Sequence, residues 1–529
     1  AQLLTSLSAG TATGPSLNRA SLPVLRAYLD GLTKLRQGLP TSVAAFGEAL
    51  DRDTTFAPSA LGLVQAIGWF GDGSTAARPL RIAWNNRQQL SQKDQALLAV
   101  SAGPRYPAQS STREMFEAAQ RYLQLAPERA DAWYSYGDKI YHFGDALGIP
   151  DRGAKAAEAF KRALATDSSY VPGYIHLQQL AVELGDSGLD RRLDQLRSTI
   201  DTGGFWVAQQ QWYRAVARRD TAELTALMHS PAIAQGLLFT MARMPLFVPD
   251  ASPEPALRAY DSLIARFNNA GALQANRGAA SALLLAAGRP AAALAMLNQI
   301  PSIGHSYVLG RRVLDGLLGS GDTVDAVRAA AEFTPSAMAP LAHDSSGRAD
   351  QAVAIRALLA WRLMRGDTTA ATGLITKLRA GRASLPPQAT PSIDDISIAT
   401  FETLLAERRG RGEAADEAAR LDSMLAGFDY SNGSVSRLEL ATLVAARLVE
   451  KYQTPAAALA TVRRRASWWN NETPYLGLQL REEGRLAALA GQKDEAILSY
   501  RHYLSLQDHP EPALVAEVTR VRQELARLE

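Results

Sequence analysis

A chain of 529 residues is too long for one ordinary compact core, and its make-up, 47% hydrophobic but only 7% aromatic, favours helix over strand. The 56 basic and 53 acidic residues leave a net charge of +3, near balance, from which no general affinity for nucleic acid or membrane follows. Cysteine is absent, so disulfides, thiolate metal sites and cysteine nucleophiles are excluded, a composition that suits an oxidising compartment.

From the N-terminus, residues 1–20 open with the uncharged stretch AQLLTSLSAGTATGPSLN. It lacks the basic start and long apolar centre of a secretory signal, and a flexible lead is expected there. No run reads as a membrane span: 54–71 is broken by Pro58 and glycines, and 224–242 carries His229 and Pro231. Residues 25–56 then give a loose copy of a pattern that becomes sharp further on.

That pattern is a pair of amphipathic helices. Met115, Ala119, Leu123 and Pro127 form the end of one pair. The next begins with Trp133, Tyr136, Gly137 and Ile140, reaches a small residue, Gly144, at the expected turn, and continues with Ala156, Phe160, Ala163 and Leu164. About seven extra residues near 146–152 are expected to lengthen that turn. Tyr174, Leu177, Ala181 and Gly185 repeat the first-helix spacing. Three consecutive pairs in register predict an all-α fold, an α-solenoid wound as a right-handed superhelix in which each pair packs only on its neighbours.

Proline interrupts the helical pattern at 231–255 and again at 380–395. The first interruption is expected to divide two superhelical halves, 21–245 and 246–529, and the second to be a long loop. Looser helix pairs lie around 283–300, 317–333 and 361–378, and the spacing sharpens once more at Gly484, Ala487, Gly491, Ala496, Tyr500 and Leu504. Along the last helix Glu517, Arg520, Arg522, Glu524, Arg527 and Glu529 read as a charged cap over the end of the stack.

The register resembles the tetratricopeptide repeat. Together with LRAYLDG (25–31), AGPRYP (102–107), WYSYGD (133–138) and the closing REEGRLAALAG and YRHYLSLQDHPEPAL, it is similar to the C-terminal repeat regions of bacterial membrane-anchored serine/threonine kinases and related transcriptional regulators. That resemblance implies an extracytoplasmic sensing or docking module of a signalling protein. The kinase half of the pattern is missing: there is no glycine-rich loop with its lysine, no H-R-D and no D-F-G, nor is there a DNA-reading helix pair.

Candidate site residues follow from helical geometry. Around the helix at 133–144, Trp133, Tyr136, Gly137, Ile140 and Gly144 share one side, whereas Tyr134, Asp138, Tyr141 and His142 share another. The first set is expected to pack, so that Trp133→Ala costs roughly 3–5 kcal/mol. The second is expected to line a concave groove that holds a protein or peptide, and to tolerate alanine better; the alternative is that these side chains pack against the lengthened turn. Asp138 and His142, four apart, have no serine nucleophile placed beside them, and no catalytic residue is expected.

The seven histidines, at 142, 176, 229, 305, 343, 502 and 509, form no H-E-x-x-H motif and no i, i+4 pair, so neither a metal nor another cofactor is expected. A calcium-loop reading of 429–439 fails on the position of its glycine. Arg463, Arg464, Arg465, Trp468 and Trp469 form a possible second surface, where cations interleave with aromatics as a glycan or nucleotide would require. The alternative there is a basic helix end followed by aromatic packing.

These readings describe a non-enzymatic scaffold for a protein or peptide partner. The alternatives are a self-assembling or complex-bound subunit, and a carbohydrate- or nucleotide-binding domain.

Overall fold

The computed structural model describes residues 17–529 apart from 71–72, 198–203, 231–232, 234–237, 240–241, 244–245, 247, 268, 333–344, 384–387, 389, 411, 432–437 and 466–472. The described residues contain 26 α-helices and no strand. They form an α-solenoid of tetratricopeptide-like helix pairs. The chain divides into two compact units, 1–210 and 211–529.

The first unit runs through α1 (Leu22–Arg36), α2 (Ser42–Arg52), α3 (Ala57–Phe70), α4 (Ala77–Asn85), α5 (Gln92–Ala102), α6 (Thr112–Leu125), α7 (Ala130–Leu147), α8 (Arg152–Thr166), α9 (Val171–Glu183) and α10 (Ser187–Arg197). The next helix, α11 (Gly204–Arg218), contains the division between the units. Local chemistry sets the helix ends. Ser111 and Glu114 exchange hydrogen bonds in a capping box that starts α6, and the Ser91 hydroxyl accepts from Asp94 N to start α5.

The packing needs small residues at the crossings. The Phe46 ring is fully buried between Gly31 and Gly62, where a Cβ would come within 2.7 and 2.5 Å of it. The turn after α7 differs from expectation. Gly144 lies buried inside the helix against the Arg152 side chain, and Gly148, at φ +70°, makes the left-handed cap. Part of the seven-residue insertion therefore lengthens the helix rather than the turn.

The second unit continues with α12 (Thr221–His229), α13 (Glu254–Arg266), α14 (Ala270–Ala286), α15 (Pro290–Leu297), α16 (His305–Leu317), α17 (Thr323–Glu332), α18 (Ser345–Met364), α19 (Thr368–Ala383), α20 (Ile393–Arg408), α21 (Ala414–Ala426), α22 (Glu439–Tyr452), α23 (Pro455–Val462), α24 (Leu476–Leu489), α25 (Lys493–Leu506) and α26 (Val515–Leu528). Carboxylates of its last helix and of the terminal Glu529 bond back to α24 and α25. Glu517 accepts from Arg481 and the Tyr503 hydroxyl, Glu524 from the Tyr500 hydroxyl and Glu529 from Arg501.

Neither unit is held by nearest-neighbour contacts alone. In the first, Arg36 of α1 pairs with Asp167 and bonds Ser169 beyond α8. In the second, the C-terminal segment folds back on α13–α16. Glu511 accepts from the amides of Ala291 and Ala292 at the start of α15 and donates its own amide to Gly288 O, and Gln507 donates to Ala286 O at 2.8 Å. Arg289 reaches both Glu254 and the His509 carbonyl. One apolar core accordingly joins Leu284 and Leu309 to Tyr475 and Leu478. The repeat register describes the local pairs, but these closing contacts come from outside it.

Ion pairs between helices add a pH dependence. Glu407 of α20 takes Arg447 at 2.6 and 2.9 Å and Lys451 at 2.9 Å from α22. The Arg447 hydrogen bonds, helped by Lys451 and opposed by partial burial, bring the Glu407 pKa from the ordinary 4.5 down to about 2. A carboxylate depressed on folding stabilises above its unfolded pKa and loses that contribution as pH falls through the folded value. The wild-type urea midpoint is therefore expected to fall more steeply between pH 4.5 and 2 than that of Arg447→Ala. Parallel slopes for the two proteins would refute the assignment.

Candidate functional site

The most chemically dense place in the described residues lies on α7 and α9. Helix α9 reads VPGYIHLQQLAVE, and every residue from Val171 to Ala181 is buried. A helix apolar nearly all round must be covered on all sides. The cover comes from α7, from α8, and from Trp69 and Phe70 at the end of α3.

Within that cover the polar groups meet. Asp138 and His142 lie one turn apart on α7, and His176 of α9 faces both. The Asp138 Oδ1 atom is 3.5 Å from His142 Nε2 and 3.5 Å from His176 Nε2. One ligand atom from each of the three residues lies within 4.8 Å of the others. The Tyr134 hydroxyl donates to Asp138 Oδ1 at 3.3 Å, and Lys139 Nζ lies 3.4 Å from Oδ2. Gln179, a turn beyond His176 and buried, holds His176 Nδ1 through its Oε1 at 2.8 Å.

Aromatic rings wall the cluster. Tyr134 stacks on His176 at 5.8 Å between centroids, and Trp69 lies 5.7 Å from Tyr134 and 5.6 Å from His176. Tyr141 and Phe160 complete the ring around His176 at 4.8 and 5.4 Å. Arg152 binds the wall together by donating to Tyr141 O at 3.0 Å while pairing with Glu183 of α9.

The electrostatics follow from burial and neighbours. Burial pushes the Asp138 carboxyl up, but the Lys139 ammonium, His142 and His176 outweigh it and hold the group well below the usual carboxylate range. Burial, reinforced by the Asp138 charge, pushes the Tyr134 phenol well up. The site holds an ionised carboxylate against two imidazoles and a neutral phenol. Such a donor set can bind a cation or carry a hydrogen-bond network.

The four residues expected to line a groove are thus brought together, but facing inward. Tyr134 and His142 are buried, and Asp138 and Tyr141 are half-buried. Trp133, expected to be the packing residue, is half-buried, and its Nε1 donates to Pro127 O at 2.9 Å. The reason is Trp69, which reaches from four helices earlier to cover the face that a helical wheel leaves open. His176 was missed because its partners lie on another helix. The signal available was the scarcity of charge along α9, which carries none before Glu183.

The second surface divides. Trp468 and Trp469 lie outside the described residues. Arg463 bonds Glu483 and Glu495, each at 2.9 Å, Arg465 bonds Glu483 at 2.7 Å, and Arg464 pairs with Asp422. All three guanidiniums are engaged by carboxylates of α21, α24 and α25, a packing arrangement that the basic run alone does not reveal.

A further buried network escaped the sequence. The Tyr475 hydroxyl donates to Asp315 Oδ1 at 2.9 Å, its amide donates to Glu439 Oε2 at 3.1 Å, and the Arg311 guanidinium lies over its ring at 4.9 Å. Burial raises the Asp315 pKa against the pull of Arg311. This network fastens α16 to α22 and α24.

No described helix is long and apolar enough to cross a membrane. No family model and no curated protein matches the chain. Among solved structures it is similar to the APC/C hetero-tetramer Cut9-Hcn1, at 15% identity over 97% of this chain and 92% of that one with a TM-score of 0.26. It is also similar to Naa15/Naa10 bound to HypK-THB, at 15% identity over 95% of this chain and 73% of that one with a TM-score of 0.20. Neither superposition is close enough to transfer a residue or a partner.

Proposed function

We propose that the chain is a non-enzymatic scaffold that binds a protein or peptide segment, and that it serves as the extracytoplasmic sensing or docking module of a bacterial signalling protein. The observation that carries the scaffold reading is the helix-pair stack itself, an architecture whose extended surface suits protein partners better than small substrates. The signalling role and the location rest on the sequence resemblance to kinase-linked repeat regions. Tyr134 and His142 are buried, so contact with a partner falls to side chains that remain accessible.

The test is reconstitution. A protein captured by the immobilised chain from native extract, and competed away by free chain, should bind again when both are purified. Failure to reconstitute any competed candidate, or a turnover activity in the purified chain, overturns the reading. The location is tested by the reading frame upstream of Ala1, where a kinase or DNA-binding domain followed by an apolar run of about twenty residues is expected.

Self-assembly is the second reading, and a specific observation favours it. Leu489, Leu498 and Val515, in the last three helices, are 57%, 51% and 49% exposed. A light-scattering mass that rises with concentration, and stops rising in Leu498→Glu, would support it.

A further inference from the structure

The Asp138–His142–His176 cluster has features that an ordinary hydrogen-bonded core does not need. Its two N···O separations are equal at 3.5 Å, longer than the 2.7–3.2 Å of a good N–H···O bond. They are instead close to the spacing of two ligands around one small cation: bonds of about 2.0–2.1 Å at a tetrahedral angle put ligand atoms roughly 3.3–3.4 Å apart. The three donors all lie within 4.8 Å of one another, so a single ion can be reached by all of them with sub-ångström side-chain adjustment.

An independent observation concerns the ring orientation. The buried Gln179 Oε1 accepts from His176 Nδ1 at 2.8 Å, which orients the ring and turns Nε2 toward Asp138. Metal-ligating histidines are held in this way by an acceptor on the far ring nitrogen. Lys139 Nζ lies near Oδ2, which leaves Oδ1 facing the two imidazoles. The Tyr134 hydroxyl, at 3.3 Å from Oδ1, adds a polar edge to the same space.

We propose that Asp138 Oδ1, His142 Nε2 and His176 Nε2 bind one divalent first-row transition cation of the zinc type, joining α7 to α9 across the intervening α8. Two imidazoles and one carboxylate suit such an ion better than magnesium or calcium, which prefer all-oxygen shells. Three protein donors leave one position of a tetrahedron for water. The aromatic wall makes the site a structural clamp, one that orders consecutive repeats of the first unit. The proposal stands apart from the scaffold reading, which needs no metal.

The experiment uses the full chain, stripped with a chelator and titrated with Co²⁺ and then Zn²⁺. One equivalent of Co²⁺ is expected to give visible ligand-field absorption that Zn²⁺ displaces, and Zn²⁺ is expected to raise the urea midpoint of the stripped protein. His176→Gln should lose the absorption and the Zn²⁺ response. Gln179→Ala, which leaves every ligand in place, should keep both with an affinity about 10–100-fold weaker. That variant keeps the test open if His176→Gln does not fold, as judged by its helical circular dichroism. A folded wild type with no stoichiometric Co²⁺ binding overturns the proposal. So does binding unchanged in both variants, which would put the ion elsewhere on the chain.

Discussion

Tyr134→Ala is expected to destabilise the first unit by about 3–5 kcal/mol, and Trp133→Ala by roughly 1–2 kcal/mol, the reverse of the order that their positions on a helical wheel suggest. Tyr134 is 8% exposed and its ring meets Trp69, Phe160, Tyr170 and His176, all at 5.5–5.8 Å between centroids. Truncation would leave a cavity walled by rings that cannot collapse into it, and would remove the phenol from Asp138. Trp133 is half-buried and anchored by one hydrogen bond to Pro127 O, so alanine there exposes little that water cannot solvate. Urea unfolding followed by circular dichroism checks the order. Equal losses, or a larger loss at Trp133, would return the tyrosine to an accessible surface.

Glu483→Gln should cost the second unit a similar amount, about 3–5 kcal/mol. The Glu483 carboxylate is 6% exposed and is shared by Arg463 at 2.9 Å and Arg465 at 2.7 Å. Burial alone would raise its pKa, but the Arg465 and Arg463 guanidiniums prevail and lower it. A neutral amide would leave two largely buried cations without their shared counter-charge. The sign of the pH effect follows: the contribution is complete above the unfolded carboxylate pKa and fades as pH falls through the lower folded value. Wild type and variant should therefore converge in acid. A difference in urea midpoint that stays constant down to pH 2 would contradict this account.

What the sequence shows most clearly is local. Apolar spacing locates the helices, whereas the capping box of Ser111 and Glu114 that starts α6 lies outside the repeat register. Glycine spacing was a less secure guide: Gly144 fits the repeat turn, yet with Gly148 four residues later the helix gains another turn before the left-handed cap. The candidate site was half visible. Asp138 and His142 share a helix face by arithmetic, whereas His176 joins them only through the packing of α9 on α7. Trp69 is more remote still, since nothing in the period says that α3 reaches α7. The same limit hid Glu483, whose place among the arginines depends on how α23 meets α24.

The return of the C-terminal segment onto α13–α16 gives the second unit a topology that an open solenoid lacks. Residues 254–291 and 507–511 are held together by Glu511 on the start of α15, by Arg289 on Glu254 and on His509 O, and by Gln507 on Ala286 O. In an open stack, terminal pairs can fray one at a time because each has a single neighbour. Here α13–α15 and the segment that follows α25 are also neighbours, so fraying from the C-terminal side must break contacts at both. A protease cut at the Gly410 turn between α20 and α21 would consequently leave two fragments with two separate seams between them, one at the cut and one at Glu511. The nicked unit should behave as a split protein whose halves reassemble from solution, with the second seam acting as the tether.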